Sequence, residues 1–282
     1  MSFYVSTATF FLLHCDEWDR VVSLPRHKFV TGATLLQLVT PVYKNKGCTS
    51  EVSNYRPISL TCVLCKIMEN IIVKHMFNYV REHNILTEHQ SGFQPIDSTV
   101  NQLLHIYHTI ISNLDVGKDV WFVFCDISKT FNRVWHKGLI YKLKRLGITG
   151  NLLSWITDYL EDRKQKVVHE GFLSVWEEVD AGVPQWSVLG PLLFLLYIND
   201  ITSELACNIK FFANDTSLFI IIDDSNYIET SEILSTDLSR IHTCNWSEIG
   251  LLNLILIKLS LFYLQEKIML ITIMYILEIQ TT

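Results

Sequence analysis

Two apolar runs that each meet an acid constrain this chain more than any other feature. Val120-Trp-Phe-Val-Phe-Cys125 is an unbroken apolar run that leads directly into Asp126. Such a run reads as a strand buried on both faces with a carboxylate at its end. Downstream, Lys210-Phe-Phe-Ala-Asn-Asp-Thr-Ser-Leu-Phe219 continues into three isoleucines. Apolar arms around a short polar centre read as two strands joined by a tight turn, with Asn214 and Asp215 at its tip. Taken alone, the second stretch reads more readily as an ordinary Asn-Asp turn. Taken with the first, it offers a partner to Asp126, because a lone buried carboxylate is costly. A shared Mg²⁺ would serve both, since that ion takes oxygen ligands in near-octahedral geometry. Two such ions about 3.5–4 Å apart can stabilise the attacking and leaving oxygens of an in-line phosphoryl displacement. Ser128 is placed to cap a following helix through Phe131 and Trp135.

With 282 residues at 49% hydrophobic, the chain can bury a sizeable core in one or two domains. Its seven cysteines, an odd number without paired metal-ligand spacing, point to reduced thiols inside a cell. Cys62 and Cys65 form a C-x-x-C, but no second pair follows and the segment looks helical. The net charge of −6 is unevenly spread. Residues 44–83 hold six Lys/Arg against three Asp/Glu, and residues 129–166 hold nine against three. From 170 onward the count is four against fifteen. The two basic segments suit phosphate contacts, though each is also accounted for by ordinary solvated helix faces.

A series of short motifs gives the chain a family likeness. In order they are Asn54-Tyr-Arg-Pro-Ile-Ser-Leu60, Gln90-Ser-Gly-Phe93 with Asp97-Ser-Thr99, and Phe124-Cys-Asp-Ile-Ser-Lys129. Gly182-Val-Pro-Gln185, Ser187-Val-Leu-Gly-Pro-Leu-Leu-Phe194, Tyr197-Ile-Asn-Asp200 and Phe212-Ala-Asn-Asp215 follow. Over roughly residues 36 to 258 the chain resembles the reverse transcriptase domain of non-LTR retrotransposons, of the LINE or jockey-like kind. The resemblance implies an α+β right-hand polymerase core with fingers and palm, the thumb missing or unrecognisable. It implies an RNA-directed DNA polymerase that joins a primer 3′-hydroxyl to a deoxynucleoside triphosphate on an RNA template, with two Mg²⁺ ions. Asp126, Asp215 and the position of Asn214 would hold the metals. Phe131 would exclude a 2′-hydroxyl, Gln185 would place the template, and Arg56 would touch the triphosphate. Lys258 matches the lysine thought to act near the leaving pyrophosphate. The implied partners are RNA template, DNA primer and deoxynucleoside triphosphates, with no membrane partner. The implied location is intracellular, nucleus or cytoplasm, and not secreted.

Four positions depart from that pattern. Gln94 stands where the family usually has Arg, and Asn132 where it usually has Asp. Trp186 replaces a glycine expected to allow close backbone approach, so its indole is expected to crowd the substrate path. Asn214 replaces the acid that, with Asp126, holds both metals. Asn keeps a carbonyl oxygen but removes a negative charge from a site for two dications. An impaired or inactive copy is therefore expected. The alternatives are a non-catalytic nucleic-acid-binding remnant and a functionless pseudogene product.

The expected division is an unassigned leader at 1–35, a fingers-like region at 36–110, a palm-like region at 111–248 and a degenerate apolar tail at 249–282. Neither the stretch 249–265, interrupted by Asn253 and Lys258, nor the short 268–277 reads as a membrane span. The endonuclease that full-length elements carry upstream is not present, so the chain reads as a fragment. A strand is expected at Leu38–Tyr43, then a helix with Ile67, Ile71, Ile72, His75 and Tyr79 on one face. A helix marked by Leu103, Leu104, Tyr107, Ile110 and Ile111 precedes the Asp126 strand. Leu139, Leu143, Leu152, Leu153, Trp155, Ile156 and Leu160 suggest paired helices broken at Gly147–Gly150. Arg163-Lys-Gln-Lys166 reads as a basic loop before a strand at Val167–Val168.

Overall fold

The computed structural model describes residues 36–94, 97–127, 130–202, 205–212, 215–222, 227–243 and 257–264. The described elements begin with strands β1 (Leu36–Tyr43) and β2 (Tyr55–Leu60), then helices α1 (Val63–Glu82) and α2 (Thr99–Leu114). Strand β3 (Asp119–Ile127) follows, then helices α3 (His136–Arg145) and α4 (Gly150–Leu160). Next come strands β4 (Lys164–His169), β5 (Phe172–Leu173) and β6 (Glu177–Glu178), and helix α5 (Gly190–Ile198). Strands β7 (Asn208–Phe212) and β8 (Asp215–Ile222), helix α6 (Tyr227–Thr243) and strand β9 (Ile257–Leu264) complete the described elements. They form two compact units, one from residues up to 78 with 134–196, the other from 79–133 with residues from 197 onward.

In the first unit β2 and β5 flank β1 and β4, and β6 also pairs with β4. β1 runs antiparallel to β2 and parallel to β4. The β1–β4 pairing reaches only as far as Val39 opposite Val167, so Pro41, which has no N–H to give, lies beyond it. Pro57, opposite Pro41, sits on the edge strand β2. Helix α5 is apolar all round because it is buried all round, with Leu192, Leu193, Phe194, Leu195 and Leu196 in the core. Leu139 and Leu143 of α3 and Ile156, Tyr159 and Leu160 of α4 are also fully buried. The turn between α3 and α4 uses left-handed backbone at Gly147 and Gly150, with φ of 87° and 64°. The expected face of α1 is displaced. Its buried residues are Cys65, Glu69, Ile72, Met76 and Val80, while Ile67 is exposed. A buried glutamate on that face conceals it from a count of apolar side chains.

In the second unit the sheet order is β7-β8-β3-β9, and every neighbouring pair is antiparallel. Alternation along β3 sends side chains to opposite faces. On one face Val120, Phe122 and Phe219 pack with Ile106, Ile110 and Leu114 of α2. On the other, Val123 and Leu218 pack with Ile209, Phe211 and α6 residues Leu234 and Ile241. The register pair Phe122 and Phe219 stacks with ring centroids 5.0 Å apart. α2 starts where Ser98 Oγ accepts from the Asn101 N–H. Its buried face is Gln102, Ile106, Ile110 and Leu114, whereas Leu104 and Tyr107 are exposed. α6 is tied down by its first residue, whose Tyr227 ring stacks on Trp121 and whose hydroxyl donates to Asp119 at 2.8 Å. Within the stretch expected as an apolar tail, β9 pairs along all of β3 except Asp119, from Ile127 opposite Ile257 to Val120 opposite Leu264. Among the described residues no helix is long and apolar enough to cross a membrane.

Candidate active site

β3 and the β7–β8 hairpin place the predicted acids on one rung. Asp126 stands opposite Asp215 on one side and Lys258 on the other. Opposite residues of antiparallel strands have Cα atoms about 4.5–5.5 Å apart. Phe212 pairs with Asp215, so only Ala213 and Asn214 connect the strands. Those two lie outside the described residues, and of Asp126 and Lys258 only the backbone is described. Asp215 is exposed, while Thr216, Ser217, Leu218 and Phe219 behind it are buried. An exposed acid on a rooted strand end is a firmly held oxygen donor. The donor types on this rung, two aspartates with an asparagine beside them, suit a hard dication such as Mg²⁺. Among the described side chains, no group of three or more His, Cys, Asp or Glu is placed to hold a metal.

Beyond β3, Phe131 and Asn132 lie in a 3-10 turn at Thr130–Asn132, and α3 begins only at His136. The helix expected to run through Phe131 and Trp135 is therefore absent from that stretch, and Ser128 lies outside the described residues. Phe131 meets Phe93 edge to face, centroids 6.0 Å apart. Phe93 itself adopts a left-handed φ of 58°. The motif that contains it is fixed by a short parallel bridge from Gln90 to Phe211 of β7. Ser91 donates to the Phe211 carbonyl at 2.9 Å, and Phe211 donates to the His89 carbonyl at 2.8 Å. Gln94 bonds through its side-chain amide to the Gln90 carbonyl. Asn132 is exposed.

In the first unit Arg56 is exposed on the edge strand β2. The segment 182–190, which carries Gln185 and Trp186, is held at both ends. At one end the Gly182 carbonyl accepts from Arg163 Nη1 at 2.8 Å and lies 2.8 Å from His136 Nε2, while its N–H donates to Val134. At the other, Glu69 of α1 accepts from the N–H groups of Val188 and Leu189 at 2.6 and 3.0 Å. Ser59 donates to the Gln185 carbonyl at 3.4 Å. Gly190 is required by close approach, since a Cβ there would lie 2.9 Å from the Pro184 carbonyl. Burial pushes the Glu69 carboxyl up, against the pull of the two N–H groups and the Tyr159 hydroxyl. Burial pushes His136 down, so it is neutral at pH 7 and donates through Nε2.

Trp186 has a backbone feature that its sequence does not show. It holds a left-handed φ of 68°, a conformation suited to glycine. Its side chain is 67% exposed, so the indole already stands largely in water. The backbone angle by itself is a reason for a glycine here. Arg163 is a second correction. The expected basic loop is mostly strand β4, and Arg163 is buried, its Nη2 donating to Gln37 at 2.8 Å. It braces Gly182 and does not face phosphate. Glu69, Arg163 and His136 escape a sequence reading because their partners, backbone groups among them, are distant in sequence. The only hint is an acid inside an apolar helix.

The comparisons with known proteins agree with this geometry. The family described as Reverse transcriptase (RNA-dependent DNA polymerase) matches residues 43–243. The chain is 35% identical over 165 residues to the probable RNA-directed DNA polymerase from transposon X-element of Drosophila melanogaster, covering 58% of this chain and 18% of that protein. It is 38% identical over 154 residues to the corresponding protein from transposon BS of the same species, covering 55% and 16%. For the RNA-directed DNA polymerase from mobile element jockey of that species, identity is 33% over 163 residues, covering 58% and 18%. The chain thus spans less than a fifth of these relatives' length. Among solved structures, apo telomerase from Candida tropicalis truncated from its C-terminal domain has a TM-score of 0.55 at 12% identity. That likeness covers 82% of this chain and 50% of the other, and it shows an α+β polymerase-core fold. The match over residues 43–243, most of the chain, settles the assignment: the chain belongs to the reverse transcriptase (RNA-dependent DNA polymerase) family.

Proposed function

We propose that this domain is built for RNA-directed DNA synthesis and that Asn214 leaves this copy impaired or inactive. The observation that carries the proposal is the rung of Asp126 between Asp215 and Lys258 at the end of a core strand. Asp126 and Asp215, with the carbonyl oxygen of Asn214, would hold the divalent ions. Bound there, two Mg²⁺ would stabilise the attacking and leaving oxygens of an in-line displacement. Lys258 would stand near the leaving pyrophosphate. Phe131, backed by Phe93, would press on the sugar and exclude a 2′-hydroxyl. Gln185 would place the template base, and Arg56 would bind triphosphate oxygens bidentately. Gln94 and Asn132 each remove a charge relative to the family pattern. Residues 36–110 would serve as fingers and 111–248 as palm, acting on an RNA template, a DNA primer and deoxynucleoside triphosphates in the nucleus or cytoplasm. The test is Mg²⁺-dependent incorporation by an Asn214→Asp chain. Loss of that incorporation on Asp126→Asn supports the assignment, and retention rejects it.

A second proposal, binding of nucleic acid without catalysis, is favoured by exposed cations on α3. Lys137, Lys144 and Arg145 are exposed, the last two in its final turn. Binding to a primer–template duplex should then weaken steeply with salt.

A further inference from the structure

Cys62 and Cys65 have no part in the polymerase chemistry, yet they are arranged for chemistry of their own. Cys62 caps α1: its carbonyl accepts from the Lys66 N–H at 3.1 Å, and its Sγ accepts from the Cys65 N–H at 3.3 Å. The two Sγ atoms lie 3.0 Å apart, with the Cys62 S–H donating to Cys65 Sγ. Cys62 is exposed, and Cys65, one turn into the helix, is buried. Cys65 is pushed up to about 12, first by burial and then by its bond to Cys62, so it stays protonated. An accessible nucleophile and a sheltered resolving thiol are thus in contact.

We propose that Cys62 and Cys65 form a thiol–disulfide exchange site whose substrate class is low-molecular-weight disulfides. The Cys62 thiol gives its proton to solvent and its sulfur attacks one sulfur of RS–SR, that S–S bond breaks, and RS⁻ leaves and is protonated. The Cys65 thiol gives its proton to solvent and attacks Cys62 Sγ, the mixed disulfide breaks, and the second RS⁻ leaves and is protonated. Two protein thiols are oxidised to one disulfide, and RS–SR is reduced to two RSH. Cys48 supplies an internal contrast. It is exposed, with Ser50 Oγ 2.9 Å from its sulfur, and it has no neighbouring thiol among the described residues. It should stop at a mixed disulfide.

The full chain would be equilibrated in glutathione–glutathione disulfide mixtures, quenched with acid, alkylated and mapped by peptide mass spectrometry. The expected result is an internal Cys62–Cys65 disulfide with no glutathione retained on either residue. Cys65→Ser should accumulate glutathione on Cys62. Cys62→Ser, which keeps a good helix cap, should leave Cys65 unmodified while the Cys48 adduct forms as before. A stable glutathione adduct on Cys62 of the unmodified chain, or Cys65 modified as fast as Cys48 in Cys62→Ser, overturns the proposal. Circular dichroism of both variants distinguishes these outcomes from loss of fold.

Discussion

Trp186 carries a conformational cost that a single substitution can relieve. A side chain at a φ of 68° is strained by roughly 1–2 kcal/mol, and glycine is not. Trp186→Gly is expected to stabilise the fold by about 1 kcal/mol, raising the melting temperature by roughly 2–4 °C. Trp186→Ala should gain less, because alanine keeps a Cβ, and an equal gain from both would argue that exposure of the indole was the cause. Glu69 and His136 give opposite pH signatures. Burial raises the folded Glu69 value above 4.5, so the folded chain binds more protons than the unfolded one above that pH. Stability from this group is therefore lost as pH rises from 4.5 through the folded value. Burial lowers the folded His136 value below 6.5, so the unfolded chain binds more protons there and stability is lost as pH falls below 6.5. Glu69→Gln should remove the first slope and His136→Asn the second, read from urea midpoints between about pH 4 and about pH 8. A Glu69→Gln profile parallel to the parent would contradict the burial of that carboxylate. From sequence, Trp186 stood out as a departure, but its backbone angle did not, because φ is a property of the loop and not of the residue name. Glu69 stood out only as an acid inside an apolar helix, since its N–H partners are about 120 positions away.

At the scale of elements, the strand that ends in Asp126 and the hairpin that ends in Asp215 were legible because long apolar runs with turn residues have few other solutions. The faces of α1 and α2 were less so. Buried Glu69 and Gln102 take core positions, and exposed Ile67 and Leu104 distract from them. β9 was not legible because its alternation, Ile257-Lys-Leu-Ser-Leu261, is short and set inside a long apolar stretch. It covers one edge of β3, and an uncovered core strand is a template for association. A chain ending at residue 250 is expected to scatter light on concentration and to unfold at lower denaturant. Unchanged monomer and midpoint would show that β9 adds nothing to the sheet. α6 is anchored through Asp237, which accepts from the N–H groups of Ala206 and Cys207 at 2.8 and 2.7 Å. Asp237→Ala leaves both donors without that partner and should cost about 2 kcal/mol in denaturant unfolding.

Across the whole molecule the chain is divided into two units that each draw on two separate stretches, with the first re-entered at residue 134 and the second at residue 197. Motif order along a sequence cannot show such interleaving, because it records neighbours in the chain and not in space. Charge shows a similar limit. The net of −6 conceals basic segments, and one of their cations, Arg163, is spent on holding Gly182. If the remaining exposed cations meet a primer–template duplex, raising salt from about 50 to about 200 mM should weaken binding by at least tenfold. Salt-independent binding would count against a phosphate-contacting face. A cooperative thermal transition is also expected of a chain with these cores, and a featureless one would favour a product without function. The most direct measurement is deoxynucleotide incorporation on a primed RNA template with Mg²⁺, comparing this chain with a folded Asn214→Asp, Trp186→Gly double variant. The double variant is expected to extend the primer and the parent to fall short by roughly 1000-fold or more, the scale of a lost metal ligand. Equal extension by both would contradict the assignment of position 214 to the metal site.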